Sequence, residues 1–197
     1  MHTIKFSTLF ILIMITSGCT KSKSKAVENK ISVSSIVNKM TSGESSSRTQ
    51  KGIPAPNFKL RNVNGDLFTF NDLKGKVVLL NFWGTWCAPC RAEIPDFVKL
   101  NNKYHARGLE IVGITLQSGE PADILRFMEK WDMNYTILTD IENHETELVT
   151  RLFGETTGKV INVVPTTFLI NREGLIVKEY LGPRSEEIFF RDLEPYL

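Results

Sequence analysis

Two cysteines separated by two residues, Cys87 and Cys90, stand just past the aliphatic run Val77-Val78-Leu79-Leu80-Asn81-Phe82. A dithiol at that spacing closes to a disulfide and reopens by exchange with another disulfide. Zinc sites use the same spacing, but zinc normally takes four ligands. Beyond this pair, and apart from Cys19, the chain after its N-terminal run offers only His105 and His144, at no recognisable ligand spacing, which makes zinc the weaker reading. In the redox reading each residue has a task. At a helix N-terminus the unpaired backbone N–H groups and the helix dipole lower a thiol pKa from about 8.5 into a range of roughly 3.5 to 7.5. Cys87 is then the attacking thiolate. Cys90, one turn on and facing inward, resolves the mixed disulfide by attacking Cys87. Pro89 fits the first turn, where its missing N–H costs nothing, and Ala88 leaves the approach to Cys87 open.

The elements that hold this pair are readable around it. The unbroken apolar character of Val77 to Phe82 marks a strand buried on both faces. A helix is expected from about Ala88 to His105, stopped by Gly108. Upstream, Asn64-Gly65-Asp66 is a turn between short strands ending at Leu60 and covering Leu67 to Phe70. Downstream come a buried strand over Leu109 to Leu116, a helix over Pro121 to Trp131, a short strand over Tyr135 to Thr139 and a helix from Glu145 to Phe153 closed by Gly154. Thr166 to Ile170 and Leu175 to Tyr180 form a hairpin, and Arg184 to Tyr196 is a closing helix. Strands alternating with helices and ending in an antiparallel hairpin predict an α/β chain with a mixed central sheet flanked by helices.

The N-terminus is of another kind. Residues 1–18 carry Lys5 as their one full charge and an apolar run from Phe6 to Ile15 interrupted by Ser7 and Thr8, too short to span a bilayer as a mature helix. The small residues Thr16-Ser17-Gly18 before Cys19 resemble a bacterial lipobox, although Thr16 stands where an aliphatic residue is usual. That resemblance makes 1–18 a lipoprotein signal peptide and Cys19 the lipidated first residue of the mature chain, with a simply cleaved or uncleaved anchor as the alternative. Residues 19–52 are rich in Ser, Lys, Asn, Thr and Gly and read as a flexible membrane tether, although Ile31, Val33, Ile36, Val37 and Met40 are spaced for a short helix. Residues 53–197 remain as the folded domain. Of the three cysteines only Cys87 and Cys90 are then free for thiol chemistry, and a formal charge of +2 over 197 residues argues against nucleic acid as a partner.

The run Asn81-Phe82-Trp83-Gly84-Thr85-Trp86-Cys87-Ala88-Pro89-Cys90-Arg91-Ala92-Glu93-Ile94-Pro95 resembles the signature of the TlpA/ResA-like branch of thioredoxin-fold disulfide reductases. The likeness extends from Pro54 through Gly182 and includes Gly75-Lys76 and Val164-Pro165-Thr166-Thr167-Phe168-Leu169-Ile170. It implies a thioredoxin-like fold with an N-terminal β-hairpin extension. It also implies that Pro165 is a cis proline packed opposite the dithiol, with Val164 presenting backbone groups for strand-like pairing with substrate; from the residues alone Pro165 reads as an ordinary trans proline at a strand start. Thioredoxins proper carry an aspartate six residues before the first cysteine, where this chain has Asn81, which cannot titrate. Glu93 occupies the place of a family glutamate tied to dithiol protonation. Without the resemblance it is a surface carboxylate in the first turns of a helix. Trp86 reads equally as substrate surface beside Cys87 and as packing, and the segment from Glu155 to Val163 as a solvated connection or as the wall of an active-site groove.

Taken with the resemblance, these features imply an extracytoplasmic, membrane-anchored thiol-disulfide oxidoreductase. It would reduce disulfides of protein substrates, apocytochrome c among them, through the redox disulfide Cys87–Cys90. The implied partners are those substrates and a membrane electron donor of the DsbD/CcdA kind, with no cofactor and no metal. Two alternatives differ in class. One is a peroxiredoxin-like peroxidase, since Pro54-Ala55-Pro56-Asn57-Phe58 also resembles the entry of that family; Thr85, two rather than three residues before Cys87, and the second cysteine speak against it. The other is a non-catalytic copper or metal-delivery lipoprotein on the same fold.

Overall fold

The computed structural model describes residues 51–140 and 144–197. The expected signal peptide, Cys19, residues 19–50 of the expected tether and the short helix expected around Ile36 lie outside the described residues. Within them, eight strands form one sheet: β1 (Ile53–Pro54), β2 (Lys59–Asn62), β3 (Leu67–Thr69), β4 (Val77–Trp83), β5 (Leu109–Thr115), β6 (Thr136–Thr139), β7 (Thr166–Ile170) and β8 (Leu175–Leu181), in the spatial order β1-β8-β7-β4-β5-β6-β2-β3. Four helices cover it: α1 (Ala88–Tyr104), α2 (Pro121–Lys130), α3 (Glu145–Thr157) and α4 (Glu186–Leu193).

All seven residues of β4 are buried, as the apolar run requires of a central strand. β4 pairs in parallel with β5 and antiparallel with β7, so Asn81 stands opposite both Gly113 and Thr167. Side chains alternate across a strand, and β4 divides its residues accordingly. Val78, Leu80 and Phe82 join Phe153 of α3 in one core, whereas Val77 and Leu79 join Phe97 and Leu100 of α1 and Phe189 of α4 in the other. A third cluster, with Trp83, Ile94, Ile124 and Met133, encloses the two cysteines between α1 and α2. By parity Asn81 belongs to the α1 side.

The hairpin of β2 and β3 does extend the fold, but as part of the same sheet. β2 pairs antiparallel with β6, and at the other edge the two-residue β1 pairs with β8. These pairings depend on register between distant segments, which local patterning does not encode. At the end opposite the dithiol, Arg172 donates to three backbone carbonyls: Tyr196 at 3.0 Å, Gly75 at 2.7 Å and Arg107 at 2.9 Å. One planar guanidinium fork thereby joins the β7–β8 turn to the C-terminus and to the entries of β4 and β5.

Helix α3 departs from expectation. It does not stop at Gly154 but continues to Thr157, with Gly158 as its left-handed C-cap at φ 70°. Gly154 is glycine for another reason. A Cβ there would lie 2.6 Å from the carbonyl oxygen of Lys159, because the chain leaving the helix folds back over it, with the Lys159 N–H donating to the Gly154 carbonyl at 2.9 Å.

Candidate active site

The chain leaves β4 through Gly84-Thr85-Trp86 and enters α1 at Cys87. Cys87 is the N-cap residue, extended at φ −79° and ψ 109°, and its Sγ accepts the backbone N–H of Cys90 at 3.2 Å. A sulfur thus takes the place usually held by a serine or aspartate oxygen, and the donor it meets is one of the orphan amides of the helix start. Pro89 follows in the first turn, where no N–H is needed. Cys87 and Cys90 are joined as a disulfide with a Cα–Cα distance of 5.3 Å. Both are buried, Cys87 at 4% exposure and Cys90 at 1%, so Cys87 is the slightly more exposed residue of the pair.

The loop ahead of the dithiol is tied down on several sides. The Thr85 N–H donates to Ser118 Oγ at 3.1 Å, Arg91 donates to the Thr85 carbonyl at 2.8 Å, and the Trp86 indole N–H donates to the Leu116 carbonyl at 3.1 Å. Gly84 permits the last of these, since a Cβ there would lie 2.6 Å from Trp86 Nε1. With its N–H satisfied, the Trp86 ring remains 57% exposed beside the cysteines. Trp83, Phe82 and Phe168 are core, as expected.

Opposite the disulfide stands the Val164–Pro165 bond, which is cis. The Val164 carbonyl oxygen lies 3.6 Å from Cys87 Sγ. In the disulfide that sulfur has no proton to give, so this is a contact; in the dithiol the same carbonyl is an acceptor for the thiol. The proline loop is anchored from behind by the Gly182 N–H, which donates to the Pro165 carbonyl at 2.8 Å, and by Thr166 Oγ1, which donates to the Val163 carbonyl at 2.7 Å.

Glu93 is not a surface carboxylate. It is 2% exposed, one turn beyond Cys90 on the inward side of α1. Asn81 Nδ2 donates to Glu93 Oε1 at 3.0 Å and to Thr167 Oγ1 at 2.9 Å. Glu93 Oε2 has no hydrogen-bond partner among the described residues. Burial pushes the carboxyl pKa up to about 8, against the opposing pull of the Arg184 backbone N–H, the Asn81 amide and the Arg184 charge, with Asp96 adding to the rise. That value lies in the range where a buried carboxyl can hold or release a proton near neutral pH. Thr167 and Arg184 went unrecognised in the sequence. Strand parity could have found Thr167, two residues past Pro165 and opposite Asn81 in register; Arg184, expected at the start of the closing helix, instead sits in the loop before α4, which begins at Glu186.

The segment expected to run as one loop from Glu155 to Val163 is helical to Thr157. The remainder forms one wall of a groove of about 550 Å³, whose other lining includes Leu116, Thr150 and Gly154. Val160 on its rim is 82% exposed, and Val163, next to Val164, is 48% exposed. Leu116, whose carbonyl accepts the Trp86 indole N–H, also lines this groove, although neither cysteine does. Among the described residues no group of three or more His, Cys, Asp or Glu side chains is placed to hold a metal ion.

Comparison with known proteins agrees with this geometry. Residues 52–179 match the model of the AhpC/TSA family. The thiol-disulfide oxidoreductase ResA of Bacillus subtilis is 34% identical over 153 residues, which is 78% of each chain. ResA of Halalkalibacterium halodurans is 34% identical over 142 residues, 72% of this chain and 74% of the relative. Among solved structures, a thiol:disulfide interchange protein of the thioredoxin family from Chlorobium tepidum is 32% identical and superposes with a TM-score of 0.65, covering 74% of this chain and 97% of that one.

Proposed function

The chain belongs to the AhpC/TSA family and is a thiol-disulfide oxidoreductase; we propose that it works outside the cytoplasm as a reductase of protein disulfides. The observation that carries this reading is the joining of Cys87 at a helix N-terminus, a buried acid one turn beyond Cys90, and the backbone of Val164 facing the reactive sulfur. In the reduced protein the Cys87 thiolate, held by the Cys90 N–H, attacks a substrate disulfide. One substrate thiolate leaves, and Cys87 is left in a mixed disulfide with the other substrate sulfur. Glu93 takes the proton of the Cys90 thiol. The Cys90 thiolate then attacks Cys87 Sγ, the second substrate sulfur leaves as a thiolate that takes the proton back from Glu93, and the protein is left as the Cys87–Cys90 disulfide. Two electrons have passed from the dithiol to the substrate.

The substrate backbone pairs with Val164 while Pro165, which has neither an N–H nor a ligating side chain, closes the other side of the sulfur pair. Trp86 supplies an apolar surface beside it. The apolar run before Cys19 supports export and lipid anchoring, with Cys19 as the lipidated residue and residues 19–52 as the tether. Among the described residues no helix is long and apolar enough to cross a membrane. A reductase at that location needs a membrane electron donor of the DsbD/CcdA kind, and apocytochrome c is a candidate substrate.

The test is reduction of a disulfide-linked peptide by the pre-reduced protein, compared with Cys87→Ser. Loss of turnover in the variant is expected. Full activity in Cys87→Ser would remove the assignment.

A further inference from the structure

We propose that Asn81 is the positioning residue of the acid–base group: its amide clamps one oxygen of Glu93 and ties it through Thr167 to the strand leaving the cis-proline loop, so that the exchanged proton is confined to the other oxygen. This rests on the reading of Glu93 as the group that protonates and deprotonates Cys90.

Asn81 is a polar residue in a strand whose neighbours are all buried, and it is itself only 3% exposed. A buried amide without partners is costly, so its presence there calls for hydrogen bonds on both N–H groups. It has them. The two Nδ2 hydrogens serve Glu93 Oε1 at 3.0 Å and Thr167 Oγ1 at 2.9 Å, and these acceptors come from α1 and β7 on either side of β4. β4 and β7 set Asn81 and Thr167 opposite one another, and strand parity turns both toward α1. The amide is thereby held at two points, by α1 and by β7.

An N–H donor accepts no hydrogen bond in return, so a protonated Glu93 cannot carry its hydrogen on Oε1 in the direction of Asn81. The hydrogen belongs on Oε2. Oε2 is the oxygen with no hydrogen-bond partner among the described residues while the cysteines are joined. Opening of the disulfide gives Cys90, one turn away on the same helix, a proton or a thiolate that can use that oxygen. Asn81 therefore decides which oxygen is free to act.

Other groups also face the carboxyl. Arg184, from the β8–α4 loop, acts through its backbone N–H and its charge, Asp96 on α1 through repulsion, and Tyr135 from the segment before β6 through its proximity. Asn81 is the only side chain among the described residues that hydrogen-bonds Glu93. The amide also explains why an acid would be wrong here. An aspartate at this place would put a second carboxyl within hydrogen-bond distance of the first, and the two would titrate as a coupled pair rather than as one acid.

The experiment follows the Glu93 side-chain carbon by 13C NMR against pH in the oxidised protein, and the pH profile of peptide-disulfide reduction in the reduced one. Wild type, Asn81→Ala, Glu93→Gln and the double variant are compared. Asn81→Ala is expected to move the Glu93 titration and the matching kinetic inflection upward by about one pH unit, a tenfold change in acidity. Glu93→Gln is expected to lack that inflection, and adding Asn81→Ala to it should change no inflection. Thr167→Val, which keeps Asn81 but frees its amide, serves the same comparison if Asn81→Ala does not fold. An unmoved titration in both Asn81→Ala and Thr167→Val would overturn the proposal, as would an equal displacement of the profile in the Glu93→Gln background. A Glu93→Gln profile identical to wild type would instead remove the acid–base reading of Glu93 on which the proposal stands.

Discussion

Replacing Glu93 by glutamine should change how stability depends on pH, and the structure sets the size of the change. The carboxyl is almost fully buried, and its pKa rises from 4.5 to about 8 in the folded chain. Below pH 4.5 both folded and unfolded chains hold the proton, and Glu93 makes no pH-dependent contribution. Between 4.5 and 8 the unfolded chain has released the proton while the folded chain keeps it. Unfolding therefore releases a proton, and stability falls as pH rises, by about 1.4 kcal/mol per unit. Above pH 8 both states are ionised and the slope vanishes. The accumulated loss across the window is about 5 kcal/mol, a large fraction of the 5–15 kcal/mol typical of a domain. The glutamine side chain of the variant would still accept the Asn81 N–H but cannot ionise. The variant's stability should lack this slope, so that it gains on wild type steadily from pH 5 to pH 8. The assay is urea unfolding of the oxidised protein, wild type and Glu93→Gln, at intervals from pH 4.5 to 9. Parallel curves for the two proteins would refute the reasoning, because they would mean that Glu93 titrates as an ordinary surface acid.

Three other substitutions probe different parts of the molecule. Arg172→Ala removes three donors to backbone carbonyls at the end opposite the dithiol and should cost about 2–4 kcal/mol by denaturant unfolding, with peptide-disulfide reduction unchanged per folded molecule. Gly154→Val sets a side chain against the Lys159 carbonyl, 2.6 Å from an added Cβ, and should cost about 1–3 kcal/mol while displacing the wall of the groove; a neutral thermal midpoint would count against the close approach. Val160→Asp, on an 82% exposed residue, should leave stability and the reduction of a small aromatic disulfide unchanged. It should raise KM for a long disulfide-linked polypeptide about five- to tenfold, and equal effects on both substrates would show that the groove takes no part in holding polypeptide.

Sequence pattern carried the centre of the fold well, for a physical reason. A strand buried on both faces must be apolar throughout, and a helix that begins at Cys87 needs the N-terminal chemistry seen in Cys87-Ala88-Pro89. Both features are local, and the structure has β4 and α1 within a residue of where they were expected. Tertiary features were less legible. Gly154 looks like a helix stop because glycine ends many helices, yet it is there so that Lys159 can approach, while Gly158 holds the left-handed cap. The attachment of β2 to β6 and of β1 to β8 is a matter of register between segments far apart in the chain. At the site, the pair of cysteines was plain from spacing, whereas the burial of Glu93 was not: its charge and its place in an early helical turn fit a solvent-facing residue. What buries it is the packing of α1 against β4 and β7, and the clue in the sequence was Asn81, a polar residue at a position whose strand neighbours are all core.

Cys87 attacks the substrate and Cys90 resolves the mixed disulfide. This order of attack is tested most directly by trapping. The pre-reduced Cys90→Ser protein is mixed with a disulfide-linked peptide, and the adduct is mapped by mass spectrometry after digestion. A stable mixed disulfide is expected on Cys87, and no comparable adduct on Cys90 in the Cys87→Ser protein, because only Cys87 has its sulfur at the helix-start amide and is the more exposed residue of the two. A stable adduct on Cys90 in Cys87→Ser, with none on Cys87 in Cys90→Ser, would contradict it.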